Sequence, residues 1–170
     1  MSRILTIVLP AYKSRKLLLE HIKSLSKKIK IIIVDNSYDR KLKKELEIKY
    51  KNVRVYLKKN IGYGGAINYG ANFVKTEYFL VMNPDTKIYK KTIEKLLNAA
   101  KKIKFFGAIS PDHIKNKKKN IKKNKIFKQK QLDGGAMLFK TKIFKKIKGF
   151  DEKIFLYYKK NDFFHKCNIL

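Results

Sequence analysis

The chain of 170 residues has a single cysteine, Cys167. One thiol excludes an internal disulfide and any zinc site built on cysteines, and it fits a reducing compartment. Arginine is scarce as well, standing only at positions 3, 15, 40 and 54 among 43 Lys+Arg. Bidentate capture of phosphate favours arginine, whereas lysine acts as a point charge. The deficit argues against a dedicated nucleic-acid face, and no specific nucleic-acid partner is expected. Acids are few: 13 Asp+Glu leave a net charge of +30. Such a surface is drawn to anionic lipid and other polyanions whatever its origin. The joint abundance of Lys, Ile, Asn, Tyr and Phe is also what an AT-rich coding sequence produces. Long apolar runs are missing too, none approaching the roughly 18 residues of a membrane span. The N-terminal "MSRILTIVLPAY" is too short for the apolar core of a secretion signal and is interrupted by Pro10, so it reads as a buried strand. A cytoplasmic location is expected, with peripheral contact at the inner membrane.

What is present is an alternation of short apolar runs and longer amphipathic segments. "ILTIVLP" (4–10) and "KIIIVDN" (30–36) are continuous β-branched runs, the pattern of strands buried on both faces. "VRVYLK" (53–58) and "YFLVMNPD" (78–85) predict two more strands. Between and after them, "RKLLLEHIKSLSKK", "KLKKELEIKY", "GGAINYGANFVK" and "KKTIEKLLNAAKKI" read as helices. This order predicts an α/β fold with a mostly parallel sheet flanked by helices, in one domain spanning 1–170. The character changes after "FFGAISPD": residues 113–131 are lysine-rich with almost no apolar stripe, which predicts a flexible loop. Its competing reading is a polyanion-binding module, but Phe127 is the one aromatic ring of Phe, Tyr or Trp among the lysines and there is no arginine, unlike a nucleic-acid platform. Order is expected to resume at "LDGGAMLFKTKIFKKIKGF" as strand, short helix and a turn at Gly149.

In an open parallel sheet ligands bind beyond the carboxyl ends of the strands, near a switch in strand order. Polar residues gather at those ends here: "LPAY" (9–12), "VDNSYD" (34–39) and "MNPDT" (82–86). Any one of them could merely begin a turn. The stretch "KNIGYGGAINYG" (59–70) concentrates Gly62, Gly64, Gly65 and Gly70, half of the chain's 8 glycines. Glycine permits positive φ and close backbone approach, and amides at a helix start favour phosphate. No Gly-Lys-Ser/Thr follows, and the loop comes after the third strand, so it is neither a Walker loop nor a dinucleotide fingerprint.

Taken in order, "IVLPAY", "IIIVDNSYD", "KNIGYGGAINYG", "YFLVMNPDT" and "DGGAMLFKTKIFKKIKGFDEKIFLYY" resemble family 2 glycosyltransferases of the GT-A fold, in the rhamnosyltransferase-like branch. The resemblance covers nearly the whole chain apart from the lysine-rich loop. It implies an inverting transfer of a sugar from a UDP- or dTDP-sugar to a cell-surface polysaccharide or lipid-linked acceptor. Pro10, Ala11 and Tyr12 match the segment against the nucleotide; Asp35 matches the aspartate that hydrogen-bonds the base, with Asn36 and Ser37 completing that motif. Asn60, Gly62 and Asn68 match the loop and helix that close the donor pocket. Asn83 and Asp85 take the place of an Asp-x-Asp signature, with Asp85 holding Mg²⁺ or Mn²⁺ against the diphosphate. Such ions take oxygen ligands and can share one protein carboxylate with phosphates and water. Asp133, Gly134 and Gly135 match the strand on the acceptor side, and Asp151 and Glu152 a signature that shapes the acceptor pocket. The residues themselves allow a helix cap for that last pair. The chain stops about one helix after "FDEKIF", so a C-terminally truncated fold is expected.

One position departs from the resemblance. The family carries an acidic pair just after the aromatic run, followed by another aspartate. In "FLYYKKND" the pair falls on Lys159 and Lys160, and Asp162 is the later acid. A lysine with a pKa near 10.4 is protonated at neutral pH and cannot accept the acceptor's proton. Three readings stay open: Asp162 or Glu152 acts as the base; the chain is a catalytically impaired or truncated homologue; or the lysines contact an anionic acceptor.

Overall fold

The computed structural model describes residues 4–111, 126 and 134–151. Its elements run β1 (Leu5–Ala11), α1 (Arg15–Ser24), β2 (Lys30–Asp35), α2 (Arg40–Lys49), β3 (Val53–Leu57), α3 (Gly62–Asn72), β4 (Tyr78–Met82), α4 (Lys90–Lys102), β5 (Ala108–Ile109), β6 (Ala136–Lys140) and α5 (Thr141–Lys146). Every residue of β1 and β4 is buried, and all but the first of β2. That is why these strands read as unbroken apolar runs: a central strand of an α/β sheet has helices on both sides. Alternate residues of β1 serve opposite cores. Leu5, Ile7 and Leu9 join Leu18 and Ile22 of α1, Leu42 and Leu46 of α2, and Leu96 and Leu97 of α4. Val8 faces the other way, with Ala66, Ile67 and Ala71 of α3 and Phe144 of α5.

The sheet order is β3-β2-β1-β4-β6-β5. β1 pairs in parallel with β2 and β4, and β2 with β3, whereas β6 lies antiparallel to β4 and β5 antiparallel to β6. The chain therefore steps from β1 outward to β3, then crosses back to β4 on the other side of β1. This is the switch in strand order at which a crevice opens. The register shows how it opens. The β1–β4 ladder runs from Leu5↔Tyr78 to Val8↔Val81, while the β1–β2 ladder continues to Ala11↔Asp35. Pro10, which has no amide hydrogen to donate, lies where β1 has already parted from β4.

One of the clustered glycines is a packing residue. A Cβ on Gly70 would stand 2.7 Å from Val8 Cγ1 and 3.2 Å from Val34 Cγ2, so α3 lies directly on β1 and β2 there. Differences from the sequence pattern are local. α1 ends at Ser24, whose hydroxyl donates to the His21 carbonyl at 2.7 Å, so the following lysines are not helical. α3 begins two residues before the expected "GGAINYG", at Gly62, which takes φ +74 as the chain turns into the helix. The short β5 follows "FFG" unannounced by any periodicity. Of the expected lysine-rich loop at 113–131, only Ile126 is described. Among the described residues no helix is long and apolar enough to cross a membrane.

α2 begins on an N-cap aspartate. Asp39 Oδ1 accepts from the Leu42 amide at 2.9 Å, and Oδ2 accepts from Arg15 Nη1 at 3.0 Å. Asp39→Ala is expected to destabilise the fold by about 1 kcal/mol, as lost caps do. The Leu42 amide, helped by Arg15, holds the Asp39 carboxyl below its ordinary value. A depressed carboxyl stabilises the fold fully above that ordinary value of 3.8, and the contribution disappears as pH falls below it. Thermal melts of wild type and variant should thus differ at neutral pH and converge in acid.

Candidate functional site

Beyond the carboxyl ends of β1 and β2 the two loops are tied together. The Asn36 amide donates to the Ala11 carbonyl at 2.8 Å, and the Lys13 amide to Ser37 Oγ at 3.2 Å. Lys13 takes φ +48, which turns the chain sharply after Tyr12. Tyr12 is left half exposed on the rim. Pro10 and Ala11 lie buried in the strand beneath it.

Asp35 is the last residue of β2 and is 1% exposed. Its carboxylate accepts from the Ser37 amide at 3.1 Å, the Ser37 hydroxyl at 2.5 Å and the Asp39 amide at 2.7 Å. A short polar side chain closing its own turn in this way is an Asx motif. The same Asp35 contributes its main-chain carbonyl to the amide of Lys58, after β3, at 2.9 Å. The aspartate matched to base recognition thus also builds the loop that would carry out that recognition.

Asn36 and Asn60 join this loop to the start of α3. Asn36 Nδ2 donates to the Gly62 carbonyl at 3.1 Å and to Asn60 Oδ1 at 3.4 Å. Asn60 Oδ1 also accepts from the Gly62 amide at 3.0 Å. Asn36 Oδ1 is buried with no hydrogen-bond partner, which leaves an acceptor at the seam. Asn68, further along α3, is turned elsewhere. Its amide donates to the Phe150 carbonyl and its oxygen accepts from the Phe150 amide, each at 2.9 Å. This reciprocal pair docks the turn after α5 onto α3. Gly149 in that turn takes φ +64, and a Cβ there would fall 2.2 Å from Asn68 Oδ1, so only glycine fits. Asp151 follows immediately and is half-buried.

The segment after β4 forms a four-residue turn. The Thr86 amide donates to the Asn83 carbonyl at 3.1 Å, with Pro84 and Asp85 between them. Proline suits the second position of such a turn because its φ is preset. The turn is anchored on the glycines that precede β6. The Asn83 amide and the Thr86 hydroxyl both donate to the Gly135 carbonyl, at 3.1 and 3.0 Å. The Tyr63 hydroxyl of α3 donates to the Gly134 carbonyl at 3.2 Å. Asp85 itself is exposed. Burial pushes the Tyr63 hydroxyl well up from its ordinary value, and the Asp85 charge adds to the shift.

Two residues near this turn escaped the sequence reading. Thr86 lies one place past the aspartate, and His21 reaches the turn from α1. His21 Nδ1 is 3.1 Å from the Pro84 carbonyl, and the ring is buried. Burial lowers the His21 pKa, outweighing the Pro84 hydrogen bond and the Asp85 charge, which raise it. A lone histidine on the apolar face of a helix carries no signal of which loop it will meet.

The structure therefore brings together Pro10, Ala11, Tyr12, Asp35, Asn36, Asn60 and Gly62 at the carboxyl ends of β1 and β2. Asn83 and Asp85 stand across the switch point, beside Gly134 and Gly135. Asp133, Glu152, Lys159, Lys160 and Asp162 lie outside the described residues. Among the described residues no three His, Cys, Asp or Glu side chains gather as a metal-binding group. A divalent ion here would have Asp85 as its protein carboxylate and take further oxygens from a bound substrate and water. That donor set suits Mg²⁺ or Mn²⁺. Asn83 Oδ1, buried without a hydrogen-bond partner, is a further oxygen in the same turn.

Known structures share this architecture. The chain superposes with TM-score 0.75 and 15% identity on the mannosyltransferase PcManGT from Pyrobaculum calidifontis in complex with GDP-Man and Mn²⁺, covering 96% of this chain and 51% of that one. It superposes with TM-score 0.71 and 19% identity on S. aureus TarS 1-349 in complex with UDP, covering 96% and 54%. The common fold is GT-A. A glycosyltransferase of Rickettsia typhi, itself uncharacterised, is 28% identical over 90% of this chain and 55% of its own length. The chain thus spans about half the length of each of these proteins. The model of Glycosyl transferase family 2 matches residues 6–169, nearly the whole chain, and on that match the chain belongs to this family.

Proposed function

We propose that this chain binds a nucleoside-diphosphate sugar across the β1/β4 switch point and takes part in inverting transfer of the sugar to a cell-surface polysaccharide or lipid-linked acceptor. The observation that carries the reading is that the Asp35 and Asp85 loops follow β2 and β4, the two strands that flank β1 at the switch point, within a chain of this family. The nucleoside would lie against Pro10, Ala11 and Tyr12, with Asp35 and its hydrogen-bonded loop beside the base. The diphosphate would lie toward Asp85. A divalent cation bound there offsets charge on the departing diphosphate. Asp85 would hold it, and the Gly134–Gly135 backbone keeps the turn in place. The Mn²⁺ and GDP-Man of PcManGT and the UDP of TarS support the substrate class. The rhamnosyltransferase-like branch, a cytoplasmic location and attraction of the +30 chain to an anionic inner-membrane face belong to the same proposal.

A second reading is favoured by one sequence feature: Lys159 and Lys160 stand where the family carries its acidic pair. The chain would then bind donor without efficient turnover.

Calorimetry with Mn²⁺ and a panel of UDP- and dTDP-sugars separates these readings from the rest. Binding by wild type is expected, and Asp85→Asn, which removes the ligating carboxylate itself, should weaken it by more than the roughly 10–100-fold that loss of an outer-shell partner costs. No binding to any donor or free nucleotide would sink both.

A further inference from the structure

We propose that His21 is a positioning residue that holds the Pro84–Asp85 peptide in the orientation that presents the Asp85 carboxylate. The inference deepens the reading of Asp85 as the diphosphate-side carboxylate, and rests on it for its functional consequence.

The geometry is that of a β-turn over Asn83–Thr86, closed by the Thr86 amide on the Asn83 carbonyl at 3.1 Å. Two forms of such a turn differ chiefly by a flip of the central peptide, here the one between Pro84 and Asp85. The flipped form requires positive φ at the third residue, which glycine adopts freely and aspartate at modest cost, so residue type alone does not fix the orientation. In this chain positive φ at non-glycine residues occurs, among the described residues, at Lys13, Tyr38 and Lys148, not at Asp85. The Pro84 carbonyl is the atom that would swing through in a flip. His21 Nδ1 stands 3.1 Å from it. A carbonyl oxygen can only accept, so Nδ1 carries the hydrogen and donates.

Burial makes this contact consequential. His21 is 7% exposed on the core face of α1, and its Nε2 is buried with no hydrogen-bond partner. An apolar residue would avoid that orphaned atom and suit the site better for packing alone. The cost of leaving Nε2 unpaired is offset only through what Nδ1 holds. The turn's other anchors, Asn83 and Thr86 on Gly135, fix its ends and leave the central peptide to His21.

The test uses the full chain. In wild type, ¹⁵N spectra of the His21 ring should show the Nδ1–H tautomer; an Nε2–H tautomer would overturn the proposal without any variant. In His21→Phe, the nuclear Overhauser effect between Pro84 Hα and the Asp85 amide, weak in wild type, should become strong, because the flipped peptide brings those protons together while keeping the Thr86 hydrogen bond. Affinity for UDP with Mn²⁺ should fall about tenfold, as for loss of a group that orients a metal ligand. His21→Asn, whose Nδ2 can replace Nδ1 as donor, should restore both. A wild-type Pro84–Asp85 Overhauser effect in His21→Phe, or no restoration by a folded His21→Asn, would overturn it. If Asp85→Asn binds UDP and Mn²⁺ as wild type does, the reading of Asp85 fails, and the Overhauser measurement still judges His21.

Discussion

Replacing Lys160 with aspartate is expected to raise the rate of sugar transfer by about 10²–10⁴-fold, the usual worth of a positioned general base. The acceptor hydroxyl must lose a proton as it attacks the anomeric carbon, and an ammonium group at that position has no free electron pair to take it. Release of nucleoside diphosphate, followed with the donor that binds best, measures the effect. If wild type already turns over and Asp162→Asn abolishes the rate while Lys160→Asp changes nothing, Asp162 is the base. If Lys160→Asp instead raises KM for a phosphate-bearing acceptor at constant kcat, the lysines serve acceptor binding.

Asp35→Ala is expected to cost about 3 kcal/mol of stability as well as donor affinity. Truncation removes an acceptor shared by the Ser37 amide, the Ser37 hydroxyl and the Asp39 amide at a site that is 1% exposed. Hydrogen bonds to a charged group are each worth about 1.5–3 kcal/mol, and water entering the gap returns part of that. For a domain of this size the melting temperature should fall by about 10 °C. Asp35→Asn keeps an acceptor oxygen and should lose less stability while still losing affinity for nucleotide. A melt unchanged in Asp35→Ala would show that the loop holds its shape without the carboxylate.

The main strands and helices were legible because burial on both faces leaves a plain signature. β1, β2 and β4 must be apolar at every position when helices cover both sides, and the helices between them must show one apolar stripe. β5 was not legible, since a strand of 2 residues has no period to read. Glycine was legible as a cluster but not as separate roles. Gly62 supplies a positive φ, whereas Gly70 supplies room for Val8 and Val34. Asn68 shows the same limit: its place in "GGAINYG" matched a donor-pocket motif, yet its amide grips Phe150, 82 residues away.

From residue order alone came the α/β layout, the polar strand ends, the five motifs and the lysines at 159 and 160. These are properties of local pattern and composition, which need no knowledge of what touches what. Tertiary structure decided which strand ends face each other. It parted β1 from β4 beyond Val8, enclosed the Asp35 carboxylate in its own loop, and set His21 and Gly135 against the turn that carries Asp85. Such contacts join residues tens of positions apart through the strand order β3-β2-β1-β4-β6-β5. No spacing along the chain encodes them, because they exist only once both faces of the sheet are covered and the loops have nowhere else to place their hydrogen bonds.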